Sequence, residues 1–225
     1  MKYTAILLLF IAMHAQGQYK FLDNTSSNQY EAKIFVANCE NGLCGGKGII
    51  ILYDKISGAE LQTFNSPDLQ FSLTEKQDAK LGWLPLGKYQ SPLIFGDFNF
   101  DGHEDIAIRN GSKGAYDSPS YNIYTALSVT KFNIDTRLSE LASNNLGMFA
   151  VDKKNQRISI MEKSGCCYQK TISYKQDSKK QWFIIESVIE DSSIADEVVV
   201  ITQKLINGKM QKTVEKFKTK DYYEN

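Results

Sequence analysis

The chain has 225 residues, with 26 basic against 26 acidic side chains and no formal net charge; 42% of it is apolar and 12% aromatic. Such a balance advertises no basic face, which argues against nucleic acid as a partner, and after the first residues no stretch is apolar enough to span a bilayer. With an N-terminal leader set aside, about 208 residues remain, enough for one domain with a full core.

Residues 1–17 read as a signal peptide. Lys2 gives a positive start, Ala5 to Met13 is an uncharged apolar run, and the small residues Ala15 and Gly17 precede Gln18. No cysteine follows to take a lipid. The expectation is an exported protein, periplasmic or secreted, with residues 18–225 forming a single domain.

From there the chain reads as strands. Tyr30–Ala37, Lys47–Tyr53, Glu60–Phe64 and Leu69–Leu73 are rich in Ile, Val, Tyr, Phe and Thr, and several alternate apolar with polar. Cys39 and Cys44 stand close together near the front, and Cys166 and Cys167 are adjacent further on. In an exported protein four cysteines suggest two disulfides, and three pairings are possible.

The most informative stretch is Gly96 to Asp105. Asp97, Asn99 and Asp101 fall at alternate positions, Gly102 lets the backbone turn, and His103 and Asp105 follow. A hard cation such as Ca2+ takes about 6–8 oxygens at 2.3–2.6 Å. Asp97, Asn99 and Asp101 offer side-chain oxygens, His103 its main-chain carbonyl, and Asp105 closes the set, while Glu104 points away. The expected ion is structural Ca2+.

A short strand, Ile106–Arg109, follows directly. Next comes a loop rich in Gly and Ser that carries Tyr116, Ser118, Ser120 and Tyr121; tyrosine is a residue type enriched at binding hot spots. Tyr121–Phe132 reads as one long strand and Arg137–Asn145 as a short helix. The later strands are Arg157–Glu162, Tyr168–Tyr174, Trp182–Ile189, Glu197–Leu205 and Met210–Phe217. Asn207-Gly208 between the last two is a hairpin signal. The Lys-rich tail from Lys209 to Lys220 reads as a solvated strand edge. The expected fold is all-β: a small propeller-like or sandwich-like domain of antiparallel strands with a calcium loop.

No catalytic constellation is visible. There is no Gly-x-Ser-x-Gly elbow and no phosphate-binding glycine loop. His103 is the only histidine outside the leader, and it lies among the calcium candidates. The carboxylates Glu186 and Glu190 share a strand without a pocket signal, so they read as solvated rather than as a glycosidase pair. The chain therefore reads as a non-enzyme.

Asp97–Gly102, Ile108–Gly111, Gly114–Tyr116 and Pro119–Tyr121 resemble the hallmark of exported calcium-binding proteins related to the XAC2610 protein of Xanthomonas. The likeness extends to Asn145-Leu146-Gly147-Met148-Phe149 and to Ser164–Tyr168. The resemblance implies a calcium-binding, propeller-like β domain of the cell envelope that inhibits lysozyme-like peptidoglycan hydrolases. Inhibitors of that kind push a Ser-Gly-x-x-Tyr type loop into the enzyme's cleft. Ser164-Gly165-Cys166-Cys167-Tyr168 matches that spacing, and Gly114–Tyr121 is a rival for the role. The implied partner is therefore a lysozyme-like hydrolase, met by Tyr116, Ser118, Ser120, Tyr121, Ser164, Gly165 and Tyr168. The alternative is a calcium-dependent envelope module that binds a glycan or a surface protein without inhibiting an enzyme.

Overall fold

The computed structural model describes residues 18–84 and 90–223; the leader expected at 1–17 lies outside them. The described residues form three antiparallel sheets, and none of these closes into a barrel. The first sheet takes β1 (Tyr19–Asp23), β2 (Tyr30–Glu40), β3 (Leu43–Asp54), β4 (Glu60–Ser66) and the short β5 (Phe71–Ser72). The second is a meander of β6 (Leu93–Gly96), β7 (Asp105–Gly111), β8 (Ser120–Ser128) and β9 (Lys131–Asp135). Helix α1 (Thr136–Leu141) leads on to the third sheet. That sheet runs in order through β10 (Ala150–Asp152), β11 (Arg157–Ser164), β12 (Tyr168–Gln176), β13 (Trp182–Asp191), β14 (Glu197–Ile206) and β15 (Lys209–Lys218). A last turn of helix, α2 (Thr219–Tyr223), follows.

The second sheet is the shared layer, and the period-2 alternation of strands explains how. Leu93, Phe95, Ile106 and Ile108 face a core built with Ile34, Ile50, Leu52 and Phe71 of the first sheet. Their neighbours Ile94, Ala107, Tyr121 and Ile123 face a second core, with Leu138 of α1 and Ile158, Ile160 and Ile172 of the third sheet. All seven residues of β7 are buried. A strand covered on both faces needs apolar side chains at consecutive positions, and Ile106-Ala107-Ile108 supplies them. The arrangement is the sandwich-like form of the expected all-β fold.

Most expected strands are present within a few residues, and three readings are corrected. Tyr121–Phe132 is two strands, β8 and β9, turning at Val129-Thr130. The helix expected at Arg137–Asn145 starts one residue earlier, where Asp135 caps it by accepting the Leu138 N–H, and is shorter because it ends at Leu141. Leu69–Leu73 keeps only β5 as strand. Three strands went unread: β1, β6 and β10. The tail fits its reading as a solvated edge, since every residue of β15 is exposed.

The cysteines pair locally: Cys39 with Cys44, across the β2–β3 ladder, and Cys166 with Cys167, in the β11–β12 turn. The crosswise alternative is excluded.

This layering makes a contrast testable by urea unfolding. Ile106→Ala, at a fully buried position, should cost about 2–5 kcal/mol. Val214→Ala, on the 53% exposed edge, should change stability by about 0.5 kcal/mol or less.

Candidate functional site

The Asp97–Asp105 loop follows β6 and turns the chain into β7. Its sequence alternates, and so does its structure. Phe98 is fully buried, edge-on to Phe149 at 5.7 Å and to Trp83 at 6.2 Å between ring centres. Phe100 packs on Trp182 at 6.2 Å. The oxygen-bearing residues between them are left on the outer side, and the two rings fasten the loop to the second core.

The outer side is held by side chains that reach back to the loop's own backbone. Asp97 accepts the N–H groups of Asp101 (3.1 Å) and Gly102 (3.0 Å). Asn99 Oδ1 accepts the Asp101 N–H at 3.0 Å, and its Nδ2 donates to Asp101 Oδ2 at 2.9 Å. Asp101 Oδ1 accepts the His103 N–H at 2.8 Å. Gly102, at φ +88°, supplies the left-handed turn.

Asp105 sits behind this group, fully buried at the start of β7. Its Oδ2 accepts the N–H groups of Phe98 (2.8 Å) and Asn99 (3.3 Å), and its Oδ1 that of Ala126 (2.9 Å). Burial pushes its carboxyl up to about 7; the N–H donors oppose the shift, and the negative charges of Asp101 and Asp97 add to it. Glu104 points away from the loop and accepts the Ser27 hydroxyl.

Among the described residues, no group of three or more His, Cys, Asp and Glu side chains gathers on one point as a ready metal cage. The chemistry of the donors nevertheless suits a hard cation. An ionised carboxylate has about four lone-pair positions, and the N–H bonds leave some of them free on Asp97 and Asp101. Three carboxylates sit within one another's field, and no ion pair among the described residues involves Asp97, Asp101 or Asp105. His103 is exposed, with its carbonyl on the same turn.

The loop after β7 divides its candidate residues in two. Ser120 and Tyr121 are fully buried, so as partner contacts they are corrected. Tyr121 Oη donates to the Ser91 carbonyl at 2.9 Å, and Ser120 Oγ donates to Asn110 Oδ1 at 2.6 Å. Burial pushes the Tyr121 hydroxyl above its ordinary pKa, with Arg109 opposing. Their position in β8 decides this, since Tyr121 shares with Ile123 the strand face turned toward the second core. Ser118 is half-buried, and its N–H closes a short helical turn on Ala115.

Tyr116 does the reverse. It is 64% exposed, and it and Asp117 both take positive φ, 57° and 58°. Adjacent non-glycine residues in this region carry strain, and such strain clusters at ligand clamps and switches. The loop beneath is tight: the Ala115 N–H reaches the Asn145 carbonyl at 3.1 Å and the Gly114 N–H reaches Ser118 at 3.0 Å. A Cβ on Gly114 would stand 2.3 Å from the Asn145 carbonyl oxygen, so only glycine fits.

The Ser164–Tyr168 turn lies against it. The Gly165 N–H donates to Tyr116 Oη at 2.6 Å. Ser164, Gly165 and Cys166 are exposed and Tyr168 is half-buried. The two segments that compete in sequence for one role thus share one surface, and of the candidate contacts Tyr116, Ser164 and Gly165 are exposed on it.

Sequence reasoning missed Arg109, a fully buried guanidinium under this loop. It donates to the Gln70 carbonyl (2.6 Å), Gln70 Oε1 (3.3 Å), Ser112 Oγ (3.1 Å) and the Gly111 carbonyl (3.3 Å). The one available signal was a charged residue directly after Ile106-Ala107-Ile108 in a strand with no polar alternation.

Asp105→Asn offers a check on the loop's anchor. The variant amide turns an N–H2 toward a backbone N–H and leaves it unpaired. Urea unfolding should show a loss of about 1–3 kcal/mol.

No family model matches the sequence, and no curated protein does either. A solved structure described as that of a Xanthomonas Type IV secretion system related protein matches over 89% of this chain and 94% of its own, with a TM-score of 0.65 and 18% identity. At that identity the likeness is one of fold, and the chain shares its fold with a secretion-related protein of Xanthomonas.

Proposed function

We propose that this is an exported, calcium-binding protein that inhibits a lysozyme-like peptidoglycan hydrolase and catalyses no reaction itself. The observation that carries the reading is the hydrogen bond from Gly165 N–H to Tyr116 Oη. It makes a single exposed surface out of the Ser164–Tyr168 turn, whose spacing resembles an inhibitor's inserted loop, and its rival, the Gly114–Tyr121 loop. The two disulfides suit an oxidising compartment outside the cytoplasm, and no helix among the described residues is long and apolar enough to cross a membrane. The fold shared with a secretion-related protein is compatible with a periplasmic or secreted location.

In this reading a hydrolase cleft, with its two carboxyl groups, receives Tyr116 together with the Ser164-Gly165 turn. The Ser164 hydroxyl and turn N–H groups hydrogen-bond to the carboxylates, and the aromatic ring takes the place of a sugar. A surface already held in shape loses less entropy on docking. Calcium would be held by Asp97, Asn99, Asp101 and the His103 carbonyl, with Asp105 behind them. The ion would neutralise the crowded carboxylates and fix the start of β7. Against an enzyme stands the chain's histidine content, His14 and His103 alone.

A second reading has its own observation. An open hollow of about 590 Å3 lies beside the acidic loop, lined by Trp83, Phe95, Asp97, Phe98, Asp152 and Lys153. A half-exposed indole beside carboxylates is a surface on which a sugar ring can stack. A calcium-dependent glycan module would use this hollow and leave hydrolases untouched.

A panel of muramidases, assayed with and without the protein, separates the two. The inhibitor reading expects at least one enzyme to slow, and Tyr116→Ala to raise the inhibition constant by about 30-fold. No slowing across the panel sinks it. For the ion, Ca2+ at a hundred times its dissociation constant should raise the melting midpoint by about 5–10 °C. The rise should vanish in Asp97→Ala/Asp101→Ala, and an unchanged midpoint in the native protein removes calcium from the account.

A further inference from the structure

We propose that the Cys166–Cys167 disulfide is a thiol–disulfide exchange site, through which a dithiol reductant releases the Tyr116–Gly165 surface. The meaning of that release for binding rests on the partner-surface reading above; the chemistry and the structural change do not.

Stability does not explain this bridge. A disulfide stabilises chiefly by closing a loop in the unfolded chain, and the effect grows with loop length. Cys166 and Cys167 are sequence neighbours, so their bond closes no chain loop. What it does constrain is the peptide between them, one residue from the Gly165 N–H that meets Tyr116 Oη. On the other side, the Cys167 carbonyl accepts from Ser192 N–H at 2.8 Å and Ser192 Oγ at 3.3 Å. That anchors Cys167 to the β13–β14 connection and leaves the Gly165–Cys166 side as the part free to move.

Access also favours exchange here. Cys166 is exposed on the turn, whereas Cys167 is half-buried. The other bridge is protected: Cys44 is 4% exposed in the first core, Cys39 packs against that core, and the pair is locked across the β2–β3 ladder. A reductant thiolate reaches Cys166 Sγ first. The Sγ–Sγ bond breaks, a mixed disulfide forms at Cys166, and Cys167 leaves as a thiolate that takes a proton from water. The reductant's second thiol then attacks its own sulfur in the mixed disulfide and frees Cys166, which is protonated in turn. Two electrons pass to the protein, and the reductant departs as a disulfide.

Once the bridge opens, the turn keeps its ladder bonds and the Ser192 anchor on Cys167, while its Gly165–Cys166 side loses the covalent tie. The Gly165 N–H loses its fixed aim at Tyr116, whose strained left-handed backbone then has one restraint fewer. The surface loosens while both cores stay intact.

The test titrates the purified, oxidised protein with dithiothreitol, then alkylates it and reads thiols by mass spectrometry, alongside hydrogen exchange. Cys166 and Cys167 should become alkylated at reductant concentrations about tenfold or more below those that open Cys39–Cys44. Exchange in peptides covering 114–118 and 164–168 should accelerate by about tenfold on that first step, with exchange in β7 unchanged. Cys166→Ser/Cys167→Ser should show the fast exchange without reductant. The proposal is overturned if Cys39–Cys44 opens first or together with the vicinal pair, or if the first reduction leaves exchange at 114–118 unchanged. None of these readouts involves a hydrolase, so a failed muramidase panel and a failed exchange site are told apart.

Discussion

One carboxylate fastens the acidic loop to the middle layer of this protein. Asp105 collects the N–H groups of Phe98 and Asn99 from the loop before it and of Ala126 from the strand beside it. It does so at the first residue of β7, which is buried throughout and lies between both cores. A buried charge is costly, and burial pushes its carboxyl up to about 7. Hydrogen bonds compensate part of that cost. On the proposed reading a calcium ion at Asp97, Asn99 and Asp101 compensates more, so the acidic loop and the central strand form one electrostatic unit.

From that strand the chain passes directly to the functional candidates. Arg109 and Asn110, at its far end, are buried and bonded beneath the next loop: Arg109 to Gln70 and Ser112, Asn110 to Ser120. The loop's inner residues, Ser120 and Tyr121, therefore serve as its foundation. Tyr116 rises from that foundation on a backbone of positive φ and meets the Ser164–Tyr168 turn. Strain at an exposed tyrosine is retained when the surroundings over-determine it, and the Asn145 carbonyl and Gly165 N–H are two of the contacts that do so. The Asn145–Phe149 segment belongs to the same assembly, since Asn145 supports the loop and Phe149 packs on Phe98.

Much of this could be read from residues, for definable reasons. The acidic loop was legible because its period is two: oxygens at 97, 99 and 101, phenyl rings at 98 and 100. The strand β7 was legible from Ile106-Ala107-Ile108, whereas its burial on both faces came from the sheets around it. The strands β6 and β10 were not, because four and three residues are too few to show a period. The turn at Val129-Thr130 was hidden because Leu127 and Val129, both exposed, kept the β-like composition running through it. Tyr116 and Tyr121 look equivalent in the sequence. Only the pairing of β7 with β8 determines that one faces a core and the other faces solvent. The disulfide pairing was open for a similar reason, since spacing does not reveal which cysteines the ladders bring together.

The proposed inhibition depends on the shared Tyr116–Gly165 surface. Its most direct test is a hydrogen-exchange footprint of the protein mixed with a muramidase that it slows. Protection concentrated at 114–118 and 163–168, with none on β15, is the predicted result. Protection confined to the hollow at Trp83, or to the exposed edge of the third sheet, would contradict it.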